Sequence, residues 1–459
     1  MSILAPPPDG FEFSVPVLII GAGACGLVAA LAVHEAGGTP LVVEADATAA
    51  GSTALSAGLI PAAATRFQAT AGIDDSADRF AADIQAKAKG ENPRTLVDTL
   101  AQHAAPTIEW LADRFGLPFS VVTDFDYPGH SRRRMHGLPT RAGQELVDRL
   151  RAACEAEGID IIYHRRATGL FVSDGAVHGA TVAGPSGPEA IGCAALILAC
   201  NGYGGNRAMV AQHMPEIKDA LWFGHDGNRG DAVRWGEQLG VRTRHLGAYQ
   251  GHGNVATPHG ILITWAMITA GGVQVNLTGD RFWDESQGYS EAARAVLAQP
   301  DGIAWTIFDG RIGAIARQFQ DFKDAEAQGA IRTGDTIEAL AAACGLDPVR
   351  LAATMAAIPQ PGIDAFGRRF QGPPLAAPYH AVKVTGALFH TQGGLDIASD
   401  ARVVRTDGTT MPNLFAAGGA AVGVSGSGDS GYLSGNGLLA AVVLGRIAGE
   451  TAAALEVMS

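Results

Sequence analysis

The sequence predicts an α/β protein in which a second domain interrupts a parallel sheet, and three observations support this. An apolar run at 15–20 is followed by apolar residues at helical spacing and then by a second apolar run at 40–43, as in parallel strands joined by a helix. Apolar runs at 194–200 and 413–417 predict two further buried strands. Residues 247–378 show a looser pattern with several helical stretches.

The size and composition of the chain limit the number of domains, the partners and the compartment that are expected. At 459 residues it exceeds the length at which one hydrophobic core stops growing, so two domains are expected. A formal net charge of −13 argues against nucleic acid and an anionic membrane surface as partners. The five cysteines form no Cys-x-x-Cys pair, which favours a reducing compartment and predicts no metal site. No signal peptide and no membrane span are predicted from the apolar runs, so a cytoplasmic protein is expected.

Three glycines between the first strand and its helix have the spacing Gly21-x-Gly23-x-x-Gly26. Gly21 permits a sharp turn, Gly23 lets backbone N–H groups approach a pyrophosphate, and Gly26 lets the helix pack closely on the strand. Glu44, after the second strand, is placed to accept hydrogen bonds from ribose hydroxyls. A dinucleotide site is therefore predicted, with FAD and NAD both open and a turn without a ligand as the alternative. The predicted contacts are Gly21, Gly23, Ala24, Cys25, Gly26, Glu44 and Ala45.

A loop rich in small and hydroxylic residues follows, GSTALSAGLIPAA at 51–63. So little side-chain bulk suits close backbone contact with a flat ring. A flexible linker is the alternative, but Ile60 and Pro61 indicate an ordered segment. The predicted contacts in this loop are Ser52, Thr53, Ser56, Ala57 and Gly58.

This loop, together with the glycine motif, resembles the flavoproteins grouped with succinate dehydrogenase, fumarate reductase and the 3-ketosteroid dehydrogenases. The resemblance implies a Rossmann-like FAD-binding domain made of residues 1–246 and 379–459. It also implies an inserted α+β substrate-capping domain at 247–378. In the family, backbone near the positions of Ala57 and Gly58 approaches the flavin N5.

The resemblance further implies how FAD is held. Covalently flavinylated members carry a histidine where this chain has Ser52 and Thr53, so non-covalent FAD is expected. The family usually has a glutamate that holds the ribityl chain where this chain has Gly419, so another group must replace that contact. Asp231 is expected either to cap its helix or to lie near the FAD. The further contacts implied are Ala167, Ala199, Asn201, Gly202, Asp231, Gly418, Asn436, Gly437 and Leu438.

Two segments resemble the family's catalytic positions. The turn GDSGYLSGNG at 428–437 precedes an apolar helix whose N-terminus is expected to stabilise negative charge on the reduced flavin. In fumarate reductases this turn carries an arginine that clamps a substrate carboxylate, and the shared GN and GRIAG segments align that arginine with Tyr432. The segment GDRFWDE at 279–285 resembles the family's GERFVNE. Four residues beyond its glutamate, where fumarate reductases place the proton-donating arginine, this chain has Tyr289.

Replacement of both arginines by tyrosines is the pattern of the ketosteroid dehydrogenases, and the Tyr-x-Ser-Gly of 432–435 resembles the Δ4-(5α) members in particular. A phenol hydrogen-bonds a neutral ketone and moves a proton, whereas a guanidinium mainly clamps anions. The ordinary phenol pKa of about 10 must be lowered by neighbours if Tyr289 is to act as a base. The alternative interpretation takes Tyr289 and Tyr432 as ordinary surface or core aromatics.

Other segments leave two interpretations each. His390 matches a family histidine that faces the substrate and His252 matches another more loosely, but either is alternatively a structural histidine. The arginines at 132–134 form a solvated loop or an anion clamp. The apolar stretch 260–268 is expected in the core of the inserted domain, with a substrate wall as the alternative.

The expected function is an FAD-dependent oxidoreductase that desaturates or reduces a CH–CH bond next to a carbonyl. The flavin N5 exchanges the hydride. Tyr432, with Ser434, polarises the carbonyl, Tyr289 handles the proton, and His390 faces the substrate. The expected substrate is a small apolar carbonyl compound. The chain has no Cys-x-x-Cys cluster or haem motif, so a separate electron donor or acceptor is expected.

Two alternative functions stay open. The first is a fumarate- or tricarballylate-type enzyme that acts on carboxylates, for which Arg281 and the arginines at 132–134 are the candidate anion ligands. The second is a flavin-binding electron-transfer subunit without a substrate of its own, which the missing ribityl glutamate favours. A closed pocket beneath an intact cap would count against this second alternative.

Overall fold

The computed structural model describes residues 2–124 and 126–457. Strands from the N-terminal and C-terminal parts of the chain lie together in its largest sheet. They are Ser2–Leu4, Phe13–Ile20, Pro40–Val43, Asp160–Ile162, Arg166–Ser173, Ala176–Gly184, Gly187–Leu198, Arg402–Val404 and Thr410–Ala416.

The centre of this sheet is parallel. Phe13–Ile20 pairs in parallel with Pro40–Val43 on one side and with Gly187–Leu198 on the other. Thr410–Ala416 in turn runs parallel to Gly187–Leu198. The carboxyl ends of these strands therefore meet at one edge, where ligands bind in open α/β sheets. The predicted α/β, Rossmann-like class is confirmed.

A second sheet is built mainly from the middle of the chain. Its strands are Leu221–Trp222, Tyr249–Ala256, Ile261–Leu262, Val273–Val275, Ile303–Asp309, Ile331–Gly334 and Tyr379–Thr391. The long strand Tyr379–Thr391 is hydrogen-bonded to both Tyr249–Ala256 and Ile303–Asp309. This pairing differs from the predicted division at 247 and 378, because Tyr379–Thr391 and Leu221–Trp222 both belong to the second sheet. A buried strand has the same apolar pattern in either sheet, so the sequence does not reveal which sheet it joins.

Helices and short strands complete the fold. Several helices begin at a side-chain cap, as where Ser76 accepts from the Arg79 N–H and Thr336 accepts from the Ala339 N–H. The helices are Ala24–Glu35, Gly51–Ala54, Arg66–Thr70, Ala77–Lys87, Arg94–Phe115, Gly143–Ala156, Arg207–His213, Asp231–Leu239, Ala266–Thr269, Tyr289–Leu297, Gly310–Ala316, Gln320–Ala327, Ile337–Cys344, Pro348–Ala356 and Asn436–Val457. The remaining strands are Ile60–Pro61, Ser120–Val121 and Met135–Gly137 in one sheet, Thr243–Arg244 with Gly394–Leu395, and Gly362–Ile363 with Arg369–Phe370.

The helix Asn436–Val457 packs closely against Ala24–Glu35. A Cβ added at Gly445 would lie 2.6 Å from the Cys25 carbonyl oxygen, so only glycine allows this approach. By length and composition alone, residues 436–455 are apolar enough to cross a membrane, although no span is predicted from uninterrupted apolar runs. Of that apolar window, 61% is buried inside the protein, as expected of a core helix.

Candidate functional site

A cavity of about 540 Å³ lies between the carboxyl edge of the large sheet and the second sheet. Most of the predicted cofactor and catalytic residues line it. These are Gly21, Gly23, Ala24, Cys25, Glu44, Ala45, Ser52, Thr53, Ser56, Ala57, Ala167, Ala199, Asn201, Asp231, Tyr289, His390, Gly418, Tyr432, Ser434, Gly437 and Leu438. Four predicted contacts are not part of this lining: Gly26, Gly58, Gly202 and Asn436.

The three glycines of the N-terminal motif have different surroundings. Gly21 has a φ of +108°, and a Cβ there would lie 2.6 Å from the Ala199 carbonyl oxygen. A Cβ on Gly26 would overlap the Gly21 carbonyl oxygen, so Gly26 is required for packing. A Cβ on Gly23 would meet only the Thr53 Oγ1 at 3.5 Å, which leaves the backbone of Gly23 open to the cavity. Gly21 thus makes the turn and Gly26 permits the packing, as the motif predicts, and Gly23 has the open backbone that the predicted ligand approach requires.

The Glu44 carboxylate is held in place at the end of its strand. Its Oε2 accepts from the Ala22 N–H at 2.7 Å and its Oε1 accepts from the Asp46 N–H at 3.0 Å. Each oxygen keeps a lone pair for a further donor. Glu44 also lines the cavity, so this geometry is compatible with its predicted role as an acceptor for ribose hydroxyls.

A cluster of amides and hydroxyls occupies the place of the missing ribityl glutamate. The Ser52 Oγ accepts from the Nδ2 atoms of Asn201 and Asn228, both at 3.0 Å. A Cβ on Gly419 would overlap the Asn201 Oδ1, so Asn201 fills the space that a side chain at 419 would need. The Asn228 Oδ1 is buried in the cavity wall and has no hydrogen-bond partner. An unpartnered acceptor there fits a ribityl hydroxyl of FAD, and the sequence analysis missed Asn228.

Asp231 lies in the cavity wall and does not cap its helix. It is the first residue of Asp231–Leu239, and Gly230 occupies the N-cap position. Its carboxylate accepts from Arg166 at 2.6 Å and from Arg234 at 2.7 Å. Of the two expectations for Asp231, the structure therefore agrees with the position near the cofactor cavity.

The two predicted tyrosines lie side by side at one end of the cavity. The ring centroids of Tyr289 and Tyr432 are 6.0 Å apart in an edge-on arrangement. Ser434 and Tyr432 both lie close enough to Tyr289 to influence the pKa of its phenol. The N–H groups of Gly435 and Gly437 act on the Tyr432 hydroxyl and lower its pKa. These N–H groups, expected to face the flavin, therefore polarise a phenol as well.

Both phenols are neutral at ordinary pH. Burial raises the pKa of Tyr432 to about 12, and the hydrogen bonds from Gly437 and Gly435 offset only part of this increase. Burial and the neighbouring Tyr432 phenol raise the pKa of Tyr289 well above its usual value, although the Ser434 hydroxyl opposes this. The neighbours therefore do not supply the lowered pKa that base catalysis requires. The protonated Tyr289 is instead in the form of a proton donor.

Two histidines contact these tyrosines. The His252 ring stacks on Tyr289 with centroids 4.9 Å apart, and the His390 ring meets Tyr432 edge-on at 5.7 Å. Burial lowers the pKa of His252 to about 3 and that of His390 to about 4, so both imidazoles are neutral. The His252 Nδ1 accepts from the Asn254 N–H at 3.2 Å, which assigns its proton to Nε2. Both histidines belong to the cavity wall.

Several wall residues near the tyrosines escaped the sequence analysis. Tyr127 lines the cavity close enough for its phenol to raise the pKa of Tyr289. Phe389 stacks on His252 with centroids 5.3 Å apart. Leu262, Thr264 and Trp265 also line the cavity, whereas Ile263, Met267 and Ile268 are buried in the core, as expected for the stretch 260–268. Tyr127 lies in an irregular segment, and no pattern in the sequence singles it out.

The arginines considered as anion clamps are engaged elsewhere. Arg134 is buried in ion pairs with Asp75 and Asp83. It also donates to the His130 Nδ1 at 3.3 Å, and the His130 Nε2 lies 3.0 Å from the Ser434 carbonyl oxygen. This arginine thereby supports the turn that carries Tyr432.

The other arginines considered as anion ligands are either exposed or paired with carboxylates. Arg132 and Arg133 are exposed, whereas Arg281 is buried in ion pairs with Glu285 and Asp364. None of these side chains is part of the described cavity lining. The arginines that do line it are each ion-paired: Arg141 with Asp124, Arg165 with Glu189, and Arg166 with Asp231.

Comparisons with known proteins match the chain to one family. Residues 16–438 match the family described as an FAD binding domain. A probable fumarate reductase from Shewanella frigidimarina (strain NCIMB 400) is 34% identical over 450 residues, which cover 95% of this chain and 74% of the relative.

Solved structures show the same fold. The open conformation of a flavocytochrome c3 fumarate reductase has a TM-score of 0.82 and 32% identity, covering 97% of this chain and 79% of that chain. A 3-ketosteroid Δ4-(5α)-dehydrogenase from Rhodococcus jostii RHA1, in complex with 4-androstene-3,17-dione, has a TM-score of 0.76 and covers 99% of this chain and 100% of that chain. At 22% identity, this second likeness shows the fold alone.

Proposed function

The chain belongs to the FAD-binding family that contains the fumarate reductases, and we propose that its substrate is a small apolar ketone. The chain is an FAD-dependent oxidoreductase that acts on C=C or CH–CH groups. The bond that reacts lies next to the carbonyl. The observation that carries this proposal is the adjacent pair of buried, neutral phenols, Tyr289 and Tyr432, in the cavity wall. Bound FAD supplies the hydride chemistry.

Tyr432 is suited to polarise the carbonyl. The N–H groups of Gly435 and Gly437 lower the pKa of its phenol, which makes its O–H a stronger donor. Negative charge develops on the carbonyl oxygen as an enolate forms, and a preorganised donor stabilises that charge more than it stabilises the ground state. Tyr432 therefore binds a neutral carbonyl without the counter-charge that an anion requires.

Tyr289 is suited to deliver the proton. Its high pKa keeps the phenol protonated until a carbanion-like carbon develops next to the carbonyl. Ser434 and Tyr432 lie beside its phenol, and stacking on His252 holds its ring. Because Tyr289 is protonated in the resting site, the site is ready to reduce its substrate. Desaturation uses the same groups in reverse.

The surrounding wall suits an uncharged ligand. His252, Trp265 and Phe389 provide aromatic surface, and the His252 and His390 imidazoles are neutral. A flat apolar ring gains more from such a surface than a dicarboxylate does. A cavity lined by these groups also counts against an electron-transfer subunit without its own substrate.

A carboxylate substrate is the second candidate. The similarity to a probable fumarate reductase favours it. Arg141 lies in the cavity wall, although it already donates to Asp124 at 2.6 Å. Binding a carboxylate would require Arg141 to divide its donors between Asp124 and the substrate.

Flavin colour distinguishes the two candidates. Under anaerobic conditions, protein reduced with dithionite is mixed with cyclic enones or with fumarate and related unsaturated dicarboxylates, and flavin absorbance is followed. Reoxidation by at least one enone and by no dicarboxylate is expected. Reoxidation by dicarboxylates alone would establish the carboxylate candidate and overturn the ketone proposal.

The mode of FAD attachment gives a second expected result. Because Ser52 and Thr53 stand where covalently flavinylated relatives have a histidine, precipitation with acid or heat is expected to release FAD into the supernatant. The absorbance of the supernatant and pellet measures the release. Yellow colour that remained with the washed, denatured polypeptide would contradict non-covalent binding.

A further inference from the structure

A second, much smaller cavity adjoins the tyrosine pair, and His252 is not part of its lining. Its volume is about 10 Å³, close to the minimum that admits one water molecule. Tyr289, Tyr432 and Ser434 line one part of it, and Lys87 and Glu291 line another. The small cavity therefore connects the predicted proton donor to a lysine–carboxyl pair.

Glu291 presents an unusual oxygen at this cavity. The residue is 5% exposed, and its Oε1 accepts from the Lys87 ammonium. Its Oε2 is buried and has no hydrogen-bond partner. A Cβ on Gly288 would lie 2.8 Å from this Oε2, so the glycine, with a φ of +136°, leaves the oxygen its space. A buried carboxyl oxygen without a partner either carries a proton or bonds a water molecule.

Lys87 provides the connection to solvent. It is the last residue of the helix Ala77–Lys87, its side chain is 15% exposed, and its ammonium also donates to the Gln287 carbonyl oxygen at 3.0 Å. The acidic neighbour on the other side is Asp429, which is ion-paired with Arg294. The carboxyl of Glu291 therefore lies between the tyrosine pair and a partly exposed ammonium.

We propose that Glu291, through one water molecule in the small cavity, returns to Tyr289 the proton that Tyr289 gives to the substrate, and that Lys87 links Glu291 to solvent. This proposal rests on the proposed function. In reduction, one alkene carbon takes the hydride and the carbon next to the carbonyl takes the Tyr289 proton. The Tyr289 oxygen then takes a proton through the water from the Glu291 carboxyl, which is reprotonated from solvent. Each turnover thus consumes one hydride and one solvent proton, and desaturation reverses every transfer.

Two further observations support a relay through Glu291. Burial raises the pKa of Glu291 even though Lys87 lowers it, which favours the protonated carboxyl that a donor requires. The other titratable neighbour stacked on Tyr289 is His252, whose pKa of about 3 leaves it without a proton to give at neutral pH. Ser434 passes a proton but is not a source, since a hydroxyl is not acidic enough.

The test separates the first turnover from later ones. The Glu291→Gln variant is expected to lose steady-state turnover, driven by reduced methyl viologen, by about tenfold or more. Its single-turnover flavin reoxidation, measured by stopped flow after dithionite reduction, is expected to fall much less, because Tyr289 already holds the proton that the first turnover needs. Glu291→Asp is expected to recover part of the steady-state rate. Glu450→Gln, which removes the exposed ion pair with Arg446, is the control for a lost carboxylate.

Each outcome bears on the relay. Equal rates for parent and Glu291→Gln in steady state would overturn it, and so would an equal loss in both measurements, which indicates a structural role. If Glu291→Gln binds no FAD, the same comparison is made with Lys87→Met, for which a steady-state loss that exceeds the single-turnover loss is expected. Failure of the proposed function would give a different result, because no enone would reoxidise the reduced flavin of the parent protein.

Discussion

Replacing Tyr289 by phenylalanine is expected to lower turnover by about 10²–10⁴-fold, the usual contribution of a positioned general acid. The phenyl ring keeps its stacking on His252 and its edge contact with Trp265, so folding and FAD content are expected to be unchanged. Stopped-flow reoxidation of the dithionite-reduced flavin by an enone measures the loss. FAD content, determined from absorbance, confirms that the site is intact.

Tyr379→Phe is the matched control. Tyr379 lies in the second sheet, outside the described lining of the cavity, and its substitution removes the same hydroxyl. Its flavin is expected to react at the parent's rate. If the Tyr289→Phe flavin were also reoxidised at that rate, Tyr289 would have no role in proton transfer.

Replacing Tyr432 by phenylalanine is expected to lower turnover by about 10²–10³-fold, as does removal of one donor from an oxyanion site. The substitution removes the hydroxyl that Gly435 and Gly437 polarise and leaves the ring against His390. The loss is expected in the rate of flavin reoxidation at saturating enone. A variant that reached the parent's rate at higher enone concentration would show that Tyr432 only binds the substrate.

Tyr432→Arg tests the chemical basis of substrate choice. A guanidinium donates two parallel hydrogen bonds to a carboxylate, and the neutral His390 beside it neither repels nor neutralises the new charge. The ratio of reoxidation rates with fumarate and with the enone is expected to shift towards fumarate. If the ratio were unchanged in a variant that retains FAD, residue 432 would not determine which substrate reacts.

The cofactor half of the site is encoded locally, which explains why it was predictable. The positive φ of Gly21 and the contact of Gly26 with the Gly21 carbonyl oxygen are requirements within the motif itself, although Gly21 also meets Ala199 from a distant strand. The carboxylate of Glu44 follows directly from the end of the second strand. A pattern over one strand, one turn and one helix carries its own physical requirements, so these residues were identified without the rest of the chain.

The substrate half depended on the resemblance to a family and was less complete. Tyr289 and Tyr432 were identified by their positions relative to family segments, and the structure brings their rings within 6.0 Å. Asn228 and Tyr127 were missed, because each lies in an irregular segment and becomes relevant only through neighbours far away in sequence.

The sequence alone therefore determined the fold class, the dinucleotide motif and the presence of two phenols in place of two arginines. Tertiary structure decided the charge states and the assignments between sheets. Arg134 and Arg281 are removed from consideration as anion ligands because folding pairs them with buried carboxylates. Folding buries the two phenols and raises their pKa further above neutral pH, and Tyr379–Thr391 joins the second sheet because its hydrogen-bond partners lie there. Burial and pairing depend on residues brought together from distant parts of the chain, and no local pattern records them.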